Sequence, residues 1–151
     1  MSKRPPRPQG CPWLIPYLVV KDADAAIEFY EKAFGFEKRM AMAGPDGKTG
    51  HAEMVYRDAM IMLGPVSAQP RSDWPHRPPA MSQVVSPIAP YVYCDDVDAL
   101  FARATAAGAK ALKPPKDEFY GDRVCSVVDP DGYWWYFATN IADFDPTKAP
   151  K

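Results

Sequence analysis

The chain contains two copies of one pattern, and this repeat constrains its fold more than anything else in the sequence. "PYLVVKDADAAIEFYEKAFG", beginning at Pro16, returns 74 residues later as "PYVYCDDVDALFARATAAGA", beginning at Pro90. Pro16/Pro90, Tyr17/Tyr91, Asp22/Asp96, Asp24/Asp98 and Ala25/Ala99 are identical, while Leu18/Val92 and Ile27/Phe101 keep an apolar residue. Each copy reads as a short strand, an aspartate placed to cap a helix, and an amphipathic helix. Ile27, Tyr30 and Phe34 mark the buried side of the first helix, and Leu100, Phe101 and Ala104 that of the second. The later half repeats as well: "GHAEMVYRD" (50–58) matches "GDRVCSVVD" (121–129) at a spacing of 71. An inserted Pro130-Asp131-Gly132 then restores 74 and sets "AMIMLG" opposite "YWWYFA". Asp-Gly signals, including "PDGK" at 45–48, mark tight turns between strands. Each copy is therefore strand–helix–strand–strand–strand, and two copies make a duplicated pair rather than a long array.

The expected organisation is a Pro-rich flexible arm at 1–12, a first βαβββ module at 13–64 and a second at 88–140. Between the modules, 65–87 forms a connecting flap, and 141–151 is a tail, so that 13–140 makes one domain. The flap's length and prolines argue for an extended arm without regular secondary structure. Net charge is −1 with acids and bases interspersed, which excludes the concentrated basic stripe that nucleic-acid binding needs. Lys3, Arg4 and Arg7 belong to the arm and read as solvated. No apolar run reaches the length of a membrane span, and the N-terminal stretch lacks the apolar core of a signal peptide. Cys11, Cys94 and Cys125 are odd in number and have no C-x-x-C spacing, which fits reduced thiols and a cytoplasmic protein.

A duplicated βαβββ module ending in "DPDGYWWYFAT" resembles the vicinal oxygen chelate superfamily of glyoxalases, bleomycin-resistance proteins and extradiol dioxygenases. "VKDADAAIEFYEKAFGFE" and "GDRVCSVVDPDGYWWYFAT" carry most of the resemblance. It implies an α+β fold in which each module curls a mixed sheet into half of a cup, with helices outside and ligands inside. It also implies dimerisation, and four points at which metal-dependent members place their ligands. Those points fall on Ile15, Met62, Ala89 and Tyr136. Isoleucine, alanine and methionine cannot hold zinc, nickel or iron, and a neutral tyrosine holds them poorly. The expectation is therefore no metal and no cofactor.

Strand alternation sorts the remaining residues by face. With Tyr136 turned into the cup, Trp134 shares its face, and Tyr133, Trp135 and Phe137 pack beneath the helices. The same parity gives Ile15, Tyr17 and Val19 to one cup wall and Ala89, Tyr91 and Tyr93 to the other. Met60 and Met62 join them, while Leu18, Val20, Val92 and Cys94 pack on helices. In "HAEMVY" the apolar side is Ala52, Met54 and Tyr56, which leaves His51 and Glu53 for the cup. The expected ligand-binding set is Tyr17, His51, Glu53, Met60, Met62, Tyr91, Tyr93, Trp134 and Tyr136. His51 and Glu53 read as a polar pair or as ligand-contacting, acid–base candidates, and with His76 they make a two-His, one-carboxylate metal site if the flap folds back. A plain reading, in which the rings fill a closed core, stands beside this one. Against it, the cup tyrosines need partners for their hydroxyls.

Two functions follow as expectations. One is a metal-free protein that binds or sequesters an aromatic or amphipathic small molecule. The other is a lyase, isomerase or dioxygenase with a displaced metal site or His/Glu acid–base chemistry. The expected partners are a small-molecule ligand and a second copy of the chain, with Trp74 near the subunit boundary or cup mouth. Neither nucleic acid nor membrane is expected.

Overall fold

The computed structural model describes residues 4–69 and 72–150. Its elements run β1 (Tyr17–Val20), α1 (Ala23–Phe34), β2 (Glu37–Ala43), β3 (Thr49–Tyr56), β4 (Ala59–Pro65) and α2 (Pro79–Ser82). The second copy follows as β5 (Tyr91–Tyr93), α3 (Val97–Ala106), β6 (Lys110–Asp117), β7 (Asp122–Val128) and β8 (Trp134–Asn140). Two four-stranded mixed sheets result, ordered β1-β4-β3-β2 and β5-β8-β7-β6, and neither closes into a barrel. The α+β class and the tandem βαβββ order thus agree with the repeat.

The helices start where the repeated aspartates place them. The Asp22 carboxylate accepts from Ala25 N at 3.0 Å, and Asp96 accepts from Ala99 N at 2.9 Å, satisfying otherwise orphaned amides. α1 stops at Gly35, whose φ of 76° suits a residue without a Cβ. The outermost strands β2 and β6 carry the register irregularities. β6 accommodates Pro114 and Pro115 there, because one of its edges has no ladder to feed.

One apolar cluster joins the copies. Tyr30 and Phe34 of α1 and Leu100 and Ala104 of α3 pack with Leu18, Val20, Met54 and Leu63 of one sheet. Cys125, Val127, Trp135 and Phe137 of the other sheet complete it. Phe34 lies 5.1 Å from Trp135 and 4.7 Å from Phe137, measured between ring centroids. At its centre, the buried Asp129 of the DPDG turn accepts from Tyr30 Oη at 2.6 Å and Trp135 Nε1 at 2.9 Å. The amides of Asp131 and Tyr133 supply two more donors, each at 2.9 Å. The turn also grips the end of β1: Asp131 accepts from Lys21 N at 2.8 Å, and the Tyr133 hydroxyl donates to Val19 O at 2.9 Å. No helix among the described residues is long and apolar enough to cross a membrane.

Two expectations need correction. The flap is not wholly irregular, because residues 79–82 form α2. Pro79 sits where a helix has no use for its missing N–H, so proline starts this turn instead of forbidding it. Ala80 N then donates to Asp131 O at 2.9 Å, fixing the flap to the DPDG turn. The spacing of the third strands also differs from the sequence match. Ala52 pairs with Leu63 and Cys125 with Phe137, so Ala52 answers to Cys125, 73 residues on rather than 71. The longer β7–β8 turn allows this slip of two, and an even slip leaves every residue on its own face.

Candidate functional site

The face of each sheet turned away from the helices is where the two copies differ. On the first copy, register sets Tyr17 beside Met62 and Met62 beside Glu53. The Tyr17 hydroxyl lies 3.3 Å from His51 Nδ1, and the two rings stack with centroids 5.8 Å apart. Glu53 takes a different partner: Arg39 Nη1 donates to its Oε2 at 2.9 Å. The same guanidinium nitrogen reaches Cys11 Sγ at 3.2 Å and Met60 Sδ at 3.8 Å. Met60 is buried behind this contact, whereas Met62 is half-buried. His51 and Glu53 thus share a face but serve separate contacts, a phenol and an ion pair.

The flap reaches this face as well. Trp74 meets Tyr17 edge-on at 5.3 Å, and His76 meets Trp74 at 4.6 Å. Tyr17, His51, Trp74 and His76 form one chain of rings. Among the described residues, no three His, Cys, Asp or Glu side chains gather in a way that could hold a metal ion. The four points expected for metal ligands carry side chains that do not fit such an ion, as their chemistry alone requires.

On the second copy Tyr91 pairs in register with Tyr136, and Tyr136 with Ser126. Tyr93 pairs with Ala138, and Ala138 with Val124. Ser126, Ala138 and Val124 are buried although they face away from the helices. Tyr91 and Tyr93 stand more exposed, at 43% and 56%. Both hydroxyls donate to Asp122 Oδ2, Tyr93 at 2.8 Å and Tyr91 at 3.0 Å. Asn140 Nδ2 donates to Asp122 Oδ1 at 3.0 Å. Burial works against the charge on Asp122, but the bonds from Asn140, Tyr93 and Tyr91 outweigh it and hold the carboxyl below its usual range. Burial first, then the bond to Asp122, pushes the Tyr91 phenol well above its usual value. For Tyr93 the bond to Asp122 comes first and burial second, in the same direction. Both phenols therefore stay protonated at neutral pH. Tyr91 meets Tyr93 edge to face at 5.5 Å and lies parallel to Tyr136 at 6.3 Å. Trp134 and Tyr136, both half-buried, alternate with the fully buried Trp135 and Phe137.

Among the described residues, no hydrogen bond or ring contact links the first copy's polar cluster to the second's. A cavity of about 260 Å³, lined by Pro12, Leu14, Pro16, Met60, Pro90 and Tyr91 among others, lies between them. Sequence reasoning placed the tyrosines but missed Arg39, Cys11, Asp122 and Asn140. Asp122 was legible, since it stands two residues from Val124 and so shares its face. Arg39 was not, because it stands at a register irregularity of β2.

The chain matches the model of the Glyoxalase/Bleomycin resistance protein/Dioxygenase superfamily over residues 13–137. It is 37% identical over 124 residues to an uncharacterized protein of Mycobacterium bovis, covering 82% of this chain and 80% of that one. An uncharacterized protein of Mycobacterium tuberculosis is 37% identical over the same share of this chain and 72% of its own length. Among solved structures, TioX from Micromonospora sp. ML1 is similar, with a TM-score of 0.64 and 25% identity over 85% of this chain and 98% of that one. A glyoxalase/bleomycin resistance protein/dioxygenase from Nocardioides shares the fold, with a TM-score of 0.64 and 20% identity over 97% of this chain and 90% of its own.

Proposed function

Since the chain belongs to the glyoxalase/bleomycin resistance protein/dioxygenase superfamily, we propose that it binds a flat aromatic or amphipathic small molecule without a metal and holds it without changing it. Fold membership alone does not choose between binding and catalysis, so the reading rests on the site. The observation that carries it is the second copy's outer face. There, Tyr91 and Tyr93 spend their hydroxyl protons on Asp122 and leave their rings exposed beside Tyr136. Rings fixed by internal bonds lose little freedom on stacking a ligand, which favours affinity. Tyr17, Met62 and Trp74 offer a comparable surface on the first copy. The side chains at Ile15, Met62, Ala89 and Tyr136 supply no donor set for the superfamily's usual metal chemistry.

A second reading rests on the contact between the Tyr17 hydroxyl and His51 Nδ1, an arrangement able to move a proton. In that reading the ligand is a substrate, and His51 acts alone, since Glu53 is held by Arg39. We also place the protein in the cytoplasm as a homodimer. In support of the homodimer, Trp13, Leu14 and Ile88, which precede the first strand of each copy, are exposed at 77%, 82% and 74%.

A thermal-shift screen of planar aromatic compounds, with and without divalent metals, tests the binding reading. Ligands that raise the melting temperature equally in chelator and in metal support it. Stabilisation that requires a metal, or turnover lost in His51→Ala, would replace it with the enzyme. Light scattering tests the dimer, which a mass near 16.8 kDa would exclude.

A further inference from the structure

Asp122 is a buried anion whose partners are all neutral. It is 4% exposed, and its bonds come from Tyr91, Tyr93 and Asn140. Among the described residues no ion pair includes it. The neighbouring Arg123 is turned to Asp98 at 2.7 Å and Asp117 at 2.6 Å. Lys113 is tied to Glu118. Buried charges are ordinarily paired, because desolvation without a counter-charge is expensive. Here hydrogen bonds keep the carboxylate ionised while its charge remains uncompensated.

The surroundings decide what could complete it. Both phenols direct their protons inward to Asp122, while Tyr91 and Tyr93 are 43% and 56% exposed. Ring faces are the negative pole of an aromatic quadrupole and attract cations. Tyr91 and Tyr93 place rings at two inclinations beside one carboxylate, and Tyr136 lies parallel to Tyr91. An anionic ligand would meet the Asp122 charge and the negative ring faces, and a neutral one would leave the buried charge as it stands.

We propose that the outer face of the second copy selects an organic cation, a planar aromatic or quaternary ammonium group, with Tyr91, Tyr93 and Tyr136 supplying ring faces and Asp122 the charge. This rests on the reading that the face takes a small molecule and names the class of that molecule. The test compares N-methylquinolinium with quinoline, two bicyclic rings of similar shape that differ in charge at neutral pH. Calorimetry on the full chain is expected to show the cation binding about tenfold tighter, a ratio between those of an exposed and a desolvated cation–π contact. Asp122→Asn, which keeps the size of the side chain and removes its charge, is expected to erase that preference, read as the ratio of the two affinities.

Tyr136→Leu removes a ring without touching any bond to Asp122. It is expected to reduce the preference even if Asp122→Asn fails to fold. Equal affinity for the two probes in the natural protein would overturn the cation inference and leave the aromatic-binding reading intact. Binding of neither probe would overturn both. A preference that survives in folded Asp122→Asn, or one that is undiminished in Tyr136→Leu, would also overturn the assignment.

Discussion

Replacing Asp129 with asparagine tests how the two copies are held together. The carboxylate accepts four hydrogen bonds, two at each oxygen. An amide keeps one accepting oxygen and turns an NH2 group toward the other two donors. The lowest-cost orientation leaves the oxygen on the Asp131 and Tyr133 amides and points the NH2 at Tyr30 and Trp135. The Tyr30 hydroxyl rotates and becomes an acceptor, but the indole N–H of fully buried Trp135 can only donate and is orphaned. An unsatisfied buried donor costs about 1–3 kcal/mol, and weakening the charge-assisted bonds adds about 1–2 kcal/mol more. Burial pushes the Asp129 carboxyl up, against the bonds from Tyr30, Trp135, Tyr133 and Asp131, so neutralising it returns part of this. The expected net loss is about 2–4 kcal/mol, read as a shift of the urea midpoint at unchanged slope. The deciding measurement is a double-mutant cycle with Trp135→Phe, which removes the orphaned donor. In that background the Asp129→Asn penalty should shrink by at least about 1 kcal/mol. A penalty equal in both backgrounds would refute the orphaned-donor account.

Trp135→Ala empties a fully buried site and should cost about 3–5 kcal/mol in urea unfolding, whereas Trp134→Ala should cost under about 1 kcal/mol and act on ligand affinity instead. Equal stability losses with unchanged binding would show the faces to be wrongly assigned. Asp122 has a lowered pKa in the folded chain, so its contribution is present above the usual carboxylate range and lost as pH falls through the lowered value. The melting temperatures of the natural protein and Asp122→Asn should therefore converge as pH falls below the usual carboxylate range, and a constant gap would contradict the bonding scheme. Gly132 has φ of 90°, and a Cβ there would lie 2.6 Å from Ala80 N, the donor that fixes the flap. Gly132→Ala should accelerate proteolysis within 65–87 before global unfolding, and an unchanged cleavage pattern would show that the flap is held elsewhere.

The fold was legible because its signals are local and occur twice. Capping aspartates, helical periodicity and turn residues each act over a few positions, and the repeat let one copy check the other. Face assignments survived even the two-residue slip of β7, since parity alone decides them. The site was legible only in part. Tyr17, Tyr91, Tyr93, Trp134 and Tyr136 follow from alternation, but their partners come from separate strands and from the flap. Nothing in local sequence brings Arg39 to Cys11 across 28 positions or Trp74 onto Tyr17. The helix at 79–82 was missed because proline was read only as a breaker, not as the residue best suited to a first turn.

The duplicated scaffold shows how one backbone plan yields two unlike surfaces. In both copies the tyrosine of the first strand reaches toward the head of the third, Tyr17 to His51 and Tyr91 to Asp122. A neutral imidazole accepts or donates according to its tautomer and imposes no charge. A buried carboxylate fixes the direction of the phenol's proton and sets a negative potential behind the ring. On the first copy the carboxylate of Glu53 is already neutralised by Arg39. The second copy keeps its negative charge while its lysine is spent on Glu118. A ligand with one apolar and one cationic end would therefore be oriented by the difference between the copies, its charge drawn to Asp122 and its apolar end left for the Tyr17, Met62 and Trp74 surface.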